Sequence, residues 1–279
     1  MTRPPISARR LLLAAVLAAL AGPAAAVEKN PTSKVYVADL QGEAEVNTGE
    51  RLEPLSEKGV YQAQGAVFET KPGSSNAMVF SNGTGVFFAP ETRLEVRRFL
   101  QEPFAPNRAD LESEPSVSQT LAYLPRGTVG LCTPRMVAGS TMVYQTPLGS
   151  LQIREGKVLV ETTDGETKVS LVEGDLTLRA GEADAAGELL QPGEQAIIRQ
   201  RPGQAPEVVI QPIAEEERSE IDEQVAMACM ARRTVYFDVG DGEEGAAELV
   251  AVPVTPIELP VEVVDENTMS PSFIPGGQG

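Results

Sequence analysis

The sequence predicts a mainly β fold, a β-sandwich or a short β-solenoid, with one C-terminal α-helix and a disordered Pro-rich tail. Three observations predict it. Apolar residues recur two apart from Lys34 to Ile210, turns rich in Gly and Asn separate the runs, and a single helical stripe follows Pro212.

At the N-terminus, Arg3, Arg9 and Arg10 precede the apolar run Leu11 to Leu20, and Gly22-Pro23 leads into Ala24-Ala25-Ala26. This is the pattern of a secretory signal peptide over residues 1–26, with cleavage between Ala26 and Val27. The run is about ten residues, roughly half of a bilayer-spanning helix, which favours a cleaved signal over an uncleaved anchor. Arg9-Arg10 admits a twin-arginine route, but the polar and aromatic residues that accompany that signal are missing, so the general secretory route fits better. No Cys follows the run and no lipid anchor is expected. The mature protein is expected to be periplasmic or secreted, with nothing beyond the signal inserted in a membrane.

The whole chain carries 23 Lys and Arg against 40 Asp and Glu. Residues 1–26 hold three Arg and no acid, so cleavage leaves 20 against 40, a formal charge of −20. Such a chain repels nucleic acid and anionic membrane surfaces.

The β region is expected over residues 33–211. Its inward pairs are Val35/Val37, Ala44/Val46, Met78/Phe80, Val86/Phe88, Leu94/Val96, Leu151/Ile153, Val158/Val160, Val169/Leu171, Leu176/Leu178 and Val208/Ile210. Hairpins or tight corners are predicted at Gly73-Ser74-Ser75-Asn76, Ser81-Asn82-Gly83, Asp164-Gly165, Glu173-Gly174-Asp175 and Gln191-Pro192-Gly193, since Gly and Asn reach left-handed backbone conformations. Residues 101–123, with Pro103, Pro106 and Pro115 among acids, predict a long loop joining two strand-rich halves, a linker or else a binding loop.

A helix is predicted over 212–233. Glu215, Glu216 and Glu217 occupy its first turn and Arg232-Arg233 its last, as the helix dipole favours, and Ile221, Val225 and Cys229 recur every fourth residue on one stripe. The two cysteines, Cys132 and Cys229, lie in a chain that leaves the reducing cytosol. A disulfide between them is the simplest use for both; two inert buried thiols and a reactive thiol are the alternatives. The bridge would clamp the helix to the sheet just after Leu131. From Gly240 to Gly279, five prolines and a Gly-rich end predict a flexible tail, whose Val252/Val254 and Val261/Val263 alternation could add a strand to a partner.

The succession of short motifs resembles the FecR family. In the first half it runs through Gly42-Glu43-Ala44-Glu45-Val46, Phe68-Glu69-Thr70, Gly73-Ser74, Ala77 to Gly83, and Val86-Phe87-Phe88-Ala89-Pro90-Glu91-Thr92-Arg93-Leu94-Glu95-Val96. The second half adds Leu124-Pro125-Arg126-Gly127-Thr128-Val129, Thr146-Pro147-Leu148-Gly149-Ser150-Leu151, Val169 to Gly174, and Leu190-Gln191-Pro192-Gly193-Glu194. The resemblance covers about 160 residues. It implies a periplasmic domain that senses an outer-membrane transporter and signals to a sigma-factor system. These positions are mostly turn glycines and inward aliphatics, so they carry fold and no ligand residue. Two departures stand out: Arg154-Glu155-Gly156 replaces the family's Arg-Gly-Thr step, and no cytoplasmic anti-sigma region or transmembrane helix is expected ahead of the domain. A free-standing, extracytoplasmic version is therefore implied.

No enzyme is expected. The chain has no His, which excludes Ser-His-acid and Cys-His arrangements and removes the commonest metal ligand. Paired carboxylates of the glycosidase kind stay open in principle, but Trp is absent and aromatics are few. Gly139-Ser140-Thr141 resembles a nucleophile elbow only in composition. Asp238 to Glu244 gathers oxygen ligands beside glycines without the regular spacing of a calcium loop, and reads as a solvated acidic linker. No cofactor and no metal are expected. Two functions remain: an interaction or sensing module for a protein or envelope polymer, acting through sheet edges or the 101–123 loop, or a structural component of the cell envelope or a secreted layer.

Overall fold

The computed structural model describes residues 33–104, 111–181, 184, 186–201, 203–241 and 247–254. The first half of the chain forms β1 (Lys34–Gln41), β2 (Ala44–Asn47), β3 (Leu52–Pro54), β4 (Val60–Gln62), β5 (Val67–Thr70), β6 (Ser75–Phe80), β7 (Gly85–Phe88) and β8 (Arg93–Gln101). The second forms β9 (Ser118–Thr133), β10 (Thr141–Gln145), β11 (Gly149–Thr163), β12 (Glu166–Ala180), β13 (Glu188–Leu190), β14 (Glu194–Arg199) and β15 (Glu207–Pro212). Helix α1 (Glu215–Arg232) and the hairpin β16 (Val235–Asp241) and β17 (Ala247–Pro253) follow.

Strands β1 to β15 make a two-layer sandwich because β9, β11 and β12 are long enough to bend and serve both layers. The first part of β9 pairs with β8 and β10, whereas Gly127 to Thr133 pair with β7 and β11. Strands β11 and β12 bend together where Gly156 faces Gly174. One layer therefore runs β4-β1-β6-β7-β9-β11-β12-β14-β15, and the other β3-β2-β5-β8-β9-β10-β11-β12-β13. Following strand directions, the β9 corner and the β10–β11 turn lie at one end of the sandwich, and the β11 and β12 corners at the other. Of these pairings only β9 with β10 is parallel, which is the arrangement of a sandwich and not of a solenoid built from parallel coils.

The core fills the space between the layers. The predicted inward pairs from Val35/Val37 to Leu176/Leu178 are all buried, as period-2 alternation requires. Val208 and Ile210 pack against the core only in part, because β15 is an edge strand. Aromatic rings bridge the gap: Phe80 of β6 meets Phe99 of β8 edge-on with centroids 5.3 Å apart, and Phe88 of β7 meets Phe68 of β5 at 6.3 Å.

Helix α1 lies on the outside of the layer that contains β7, hereafter the helix side. Its backbone approaches so closely that a Cβ on Gly85 would stand 2.0 Å from the Ala228 carbonyl oxygen, and one on Gly130 would stand 2.6 Å from that of Gln224. Ile221 and Val225 pack with Leu159 and Ile213. Beyond the helix, Val235, Phe237 and Leu249 of the final hairpin cover Tyr36, Ala77 and Val79. Ala214 gives the helix no side-chain cap, so the three first-turn glutamates supply its N-terminal electrostatics.

Two stretches differ from the sequence expectation. The 101–123 loop is shorter, since Gln101 belongs to β8 and Ser118 to Tyr123 belong to β9. Small polar residues hid this strand, because Ser118 and Thr120 point inward and are buried. Within the expected tail, Ala247–Pro253 is a strand paired with β16, held by burial of Leu249. The Val261/Val263 alternation and the end of the tail lie outside the described residues.

Candidate interaction face

Cys132 and Cys229 are joined in a disulfide with Cα atoms 5.1 Å apart. Alternation along β9 explains it: Val129 and Leu131 face the core, so Gly130 and Cys132 face the helix. The proposed cleavage point at Ala26 and Val27 lies outside the described residues. Asp238 and Asp241 belong to β16, and Gly242 to Glu244 are outside the described residues. Among the described residues, no helix is long and apolar enough to cross a membrane.

The returning limb of the 101–123 segment is fastened down. Glu114 is buried and accepts hydrogen bonds from the Ser118 hydroxyl and, at 3.2 Å, from the Val137 backbone N–H. Burial pushes its pKa up, against the opposing effect of bonds to Ser118, Ser140, Val137 and Asn82. Ser140, the residue of the apparent nucleophile elbow, thus sits in a polar cluster that closes the loop, with its hydroxyl also accepting from the Ser118 N–H at 2.9 Å. Arg232, at the helix end, is buried and donates to the Gly83 carbonyl at 3.1 Å and to that of Leu111. Both attachments make this segment a closure between sheet and helix.

The other layer presents the opposite situation. Among the described residues, no element covers its outer face, and strand register sets side chains on it in rows. One row crosses five strands through Glu95, Tyr123, Gln145, Ser150 and Arg179. The next passes through Arg98, Leu121, Val143, Gln152, Thr177 and Leu189. Leu189 is 57% exposed, while Leu121 and Val143 are half-buried.

At the end of the first row, beside the β10–β11 turn, lies a shallow groove of about 730 Å³ lined by Arg97, Tyr123, Gln145, Leu148, Ser150 and Arg179, among others. The Arg97 guanidinium stands 3.9 Å from the Tyr123 ring centroid and donates to Gln145 Oε1 at 3.0 Å. These contacts fix a planar donor fork at the groove edge. Arg97 also ends an ion-pair chain: Arg126 to Glu69 at 2.7 Å, Glu69 to Arg93 at 3.0 Å, Arg93 to Glu95 at 3.2 Å, and Glu95 to Arg97 at 3.7 Å. Three cations against two carboxylates give this chain a local charge of +1 within a strongly acidic protein. At the far side, Asp184 accepts from the Gly187 and Ala180 backbone N–H groups at 2.9 and 3.1 Å, which hold its pKa below the usual value. That carboxylate organises its own loop beside Arg179.

Sequence reasoning missed this face. Its residues come from five strands, and only the pairing register brings them into one row.

No protein-family model and no curated protein matches the sequence. Solved chains that resemble it include two candidate anti-sigma factors from Parabacteroides distasonis ATCC 8503. The first has 16% identity and a TM-score of 0.40 over 55% of this chain and 62% of its own length, so the match spans less than two thirds of it. The second has 12% identity and a TM-score of 0.40 over 68% of this chain and 99% of its own.

Proposed function

We propose that this chain is an exported, non-enzymatic, FecR-like interaction module that holds a protein partner outside the cytoplasm through the bare face of its sandwich. The observation that supports this most directly is the asymmetry of the two outer faces. One is sealed by α1, the final hairpin and the disulfide; the other carries ordered rows of half-exposed side chains on rigid strands. Binding constellations on strands hold their geometry better than those on loops. The returning limb from Leu111 to Val117, held at Leu111 and Glu114, is a weaker contact surface than a free loop would be. Export rests on the residues around the Ala26–Val27 junction and on a disulfide that an oxidising compartment maintains.

Site-specific photo-crosslinking in the producing cell tests this function. A photoreactive residue at Gln152 on the bare face should yield a discrete adduct with another extracytoplasmic protein, and one at Glu216 on the helix should not. Adducts only between copies of this chain would replace the module with a structural envelope component. Absence of any adduct at Gln152, or an equal yield at Glu216, would overturn the assignment of the face.

A further inference from the structure

The groove at the end of the bare face has features that select a class of occupant. Its rim carries two guanidinium groups: Arg97 reaches from β8 over Tyr123 of β9 to Gln145 of β10, and Arg179 stands on β12, two to three strand spacings further on, roughly 10–14 Å at 4.8 Å each. About three or four residues of extended chain cover that length at about 3.3 Å per residue. Arg97 is held in place by Tyr123 and Gln145, so little side-chain freedom is lost when it engages a carboxylate in a bidentate pair. Its nearest carboxylate, Glu95, is 3.7 Å away and is shared with Arg93 at 3.2 Å, which leaves the cationic end of the ion-pair chain facing the groove. Asp184 offsets Arg179 and is itself occupied by backbone N–H donors.

Apolar side chains flank this cationic edge. Leu121 and Val143 lie side by side one row over, Leu189 ends that row beyond Gln152 and Thr177, and the groove itself includes Pro147 and Leu148. The groove edge is thus cationic, and the neighbouring row offers apolar side chains at Leu121/Val143 and again at Leu189. A polysaccharide fits it poorly: the Tyr123 ring is already capped by Arg97 and the chain contains no Trp, so the aromatic platform that commonly stacks on sugar rings is lacking. We infer that the groove takes an extended acidic and apolar segment of a protein partner, with carboxylates on Arg97 and Arg179 and aliphatic side chains along Leu121, Val143 and Leu189. This rests on the interaction-module function proposed above and names the partner's chemistry. The row crosses the strands, so the segment is read through side chains and does not extend a sheet.

Binding to the purified mature chain tests the assignment, with fluorescence anisotropy of a labelled decapeptide of alternating Glu and Val as the probe. Saturable binding that weakens between low salt and about 0.5 M salt is expected, because screening shortens the reach of exposed charges. R97Q and R179Q should each weaken it about tenfold, the scale of one charge-assisted contact, with thermal stability unchanged. Equal binding of the Lys-and-Val counterpart would overturn the inference. So would equal binding of an oligogalacturonate of matching length, which would make the occupant an anionic polysaccharide. Unchanged peptide binding in both variants would also overturn it. The same variants carried through the Gln152 crosslinking separate the two proposals: a partner adduct that persists in the R97Q/R179Q double variant removes the groove and leaves the module, whereas loss of the adduct supports both.

Discussion

Gly156 of β11 and Gly174 of β12 face each other across the shared corner. A Cβ on Gly174 would lie 2.5 Å from the Gly156 Cα and 2.1 Å from the Glu155 carbonyl oxygen. Both residues have positive φ, 145° and 109°. The bend that takes two paired strands from one layer into the other therefore needs two residues without side chains at one place.

Gly174→Ala should lower stability by about 2–4 kcal/mol, from backbone strain together with overpacking. Urea unfolding measures it. Gly156→Ala should cost a similar amount, and the double variant less than the sum, because the first substitution already opens the corner. Additive losses would show that the two glycines act independently.

The disulfide should survive purification and define the mature chain. Intact mass under non-reducing conditions should match a chain beginning at Val27, with no uptake of alkylating reagent. Cys229→Ser, or reduction, should remove about 4–5 kcal/mol on the chain-entropy account of a loop spanning 97 positions, and lower Tm by roughly 10 °C or more. Far-UV circular dichroism should barely change, since Gly85 and Gly130 still seat the helix.

Glu114 gives a pH dependence whose sign is fixed. Its folded-state pKa lies above the ordinary carboxylate value, chiefly through burial. The folded chain therefore holds a proton that the unfolded chain has released in the window just above that value, and stability falls as pH rises through the window. The stability difference between the wild type and Glu114→Gln should be most favourable to the wild type below the window and decline above it. A difference that grows with rising pH would contradict the burial effect.

Asn76 points into the core from β6 at 1% exposure, and neither polar atom of its side chain has a partner among the described residues. Replacing it by the similarly shaped Leu should stabilise the fold by about 1–3 kcal/mol, the cost of an unmet buried polar group. Chemical denaturation decides it. A loss of stability would mean that the amide is solvated in solution.

Much of the fold was legible because period-2 burial leaves its mark in the sequence. Val35/Val37 through Leu176/Leu178 face inward, and Cys229 falls beside the buried face of α1. What the sequence hid was continuity. Gly156 lies between two apolar pairs and suggests a boundary, yet β11 passes through it unbroken; Gly127 and Gly174 do the same for β9 and β12. The bare face was hidden for a related reason. Arg97, Tyr123, Gln145 and Arg179 are ordinary outward positions on separate strands, and only the register of β8 to β12 makes them neighbours. Local pattern reports which way a side chain points, whereas the identity of its cross-strand neighbour depends on long-range pairing.

Strand β9 also sets the order in which this chain can mature. Before residues 118–133 are available, β7 and β8 each keep an unpaired edge, one in each layer, and the N-terminal half has no way to finish either sheet. The nascent segment must be shielded from its neighbours through that interval. Covalent locking comes later still, because Cys132 waits for a cysteine 97 residues behind it. Assembly of the described fold is thereby postponed until the chain is available as far as Cys229.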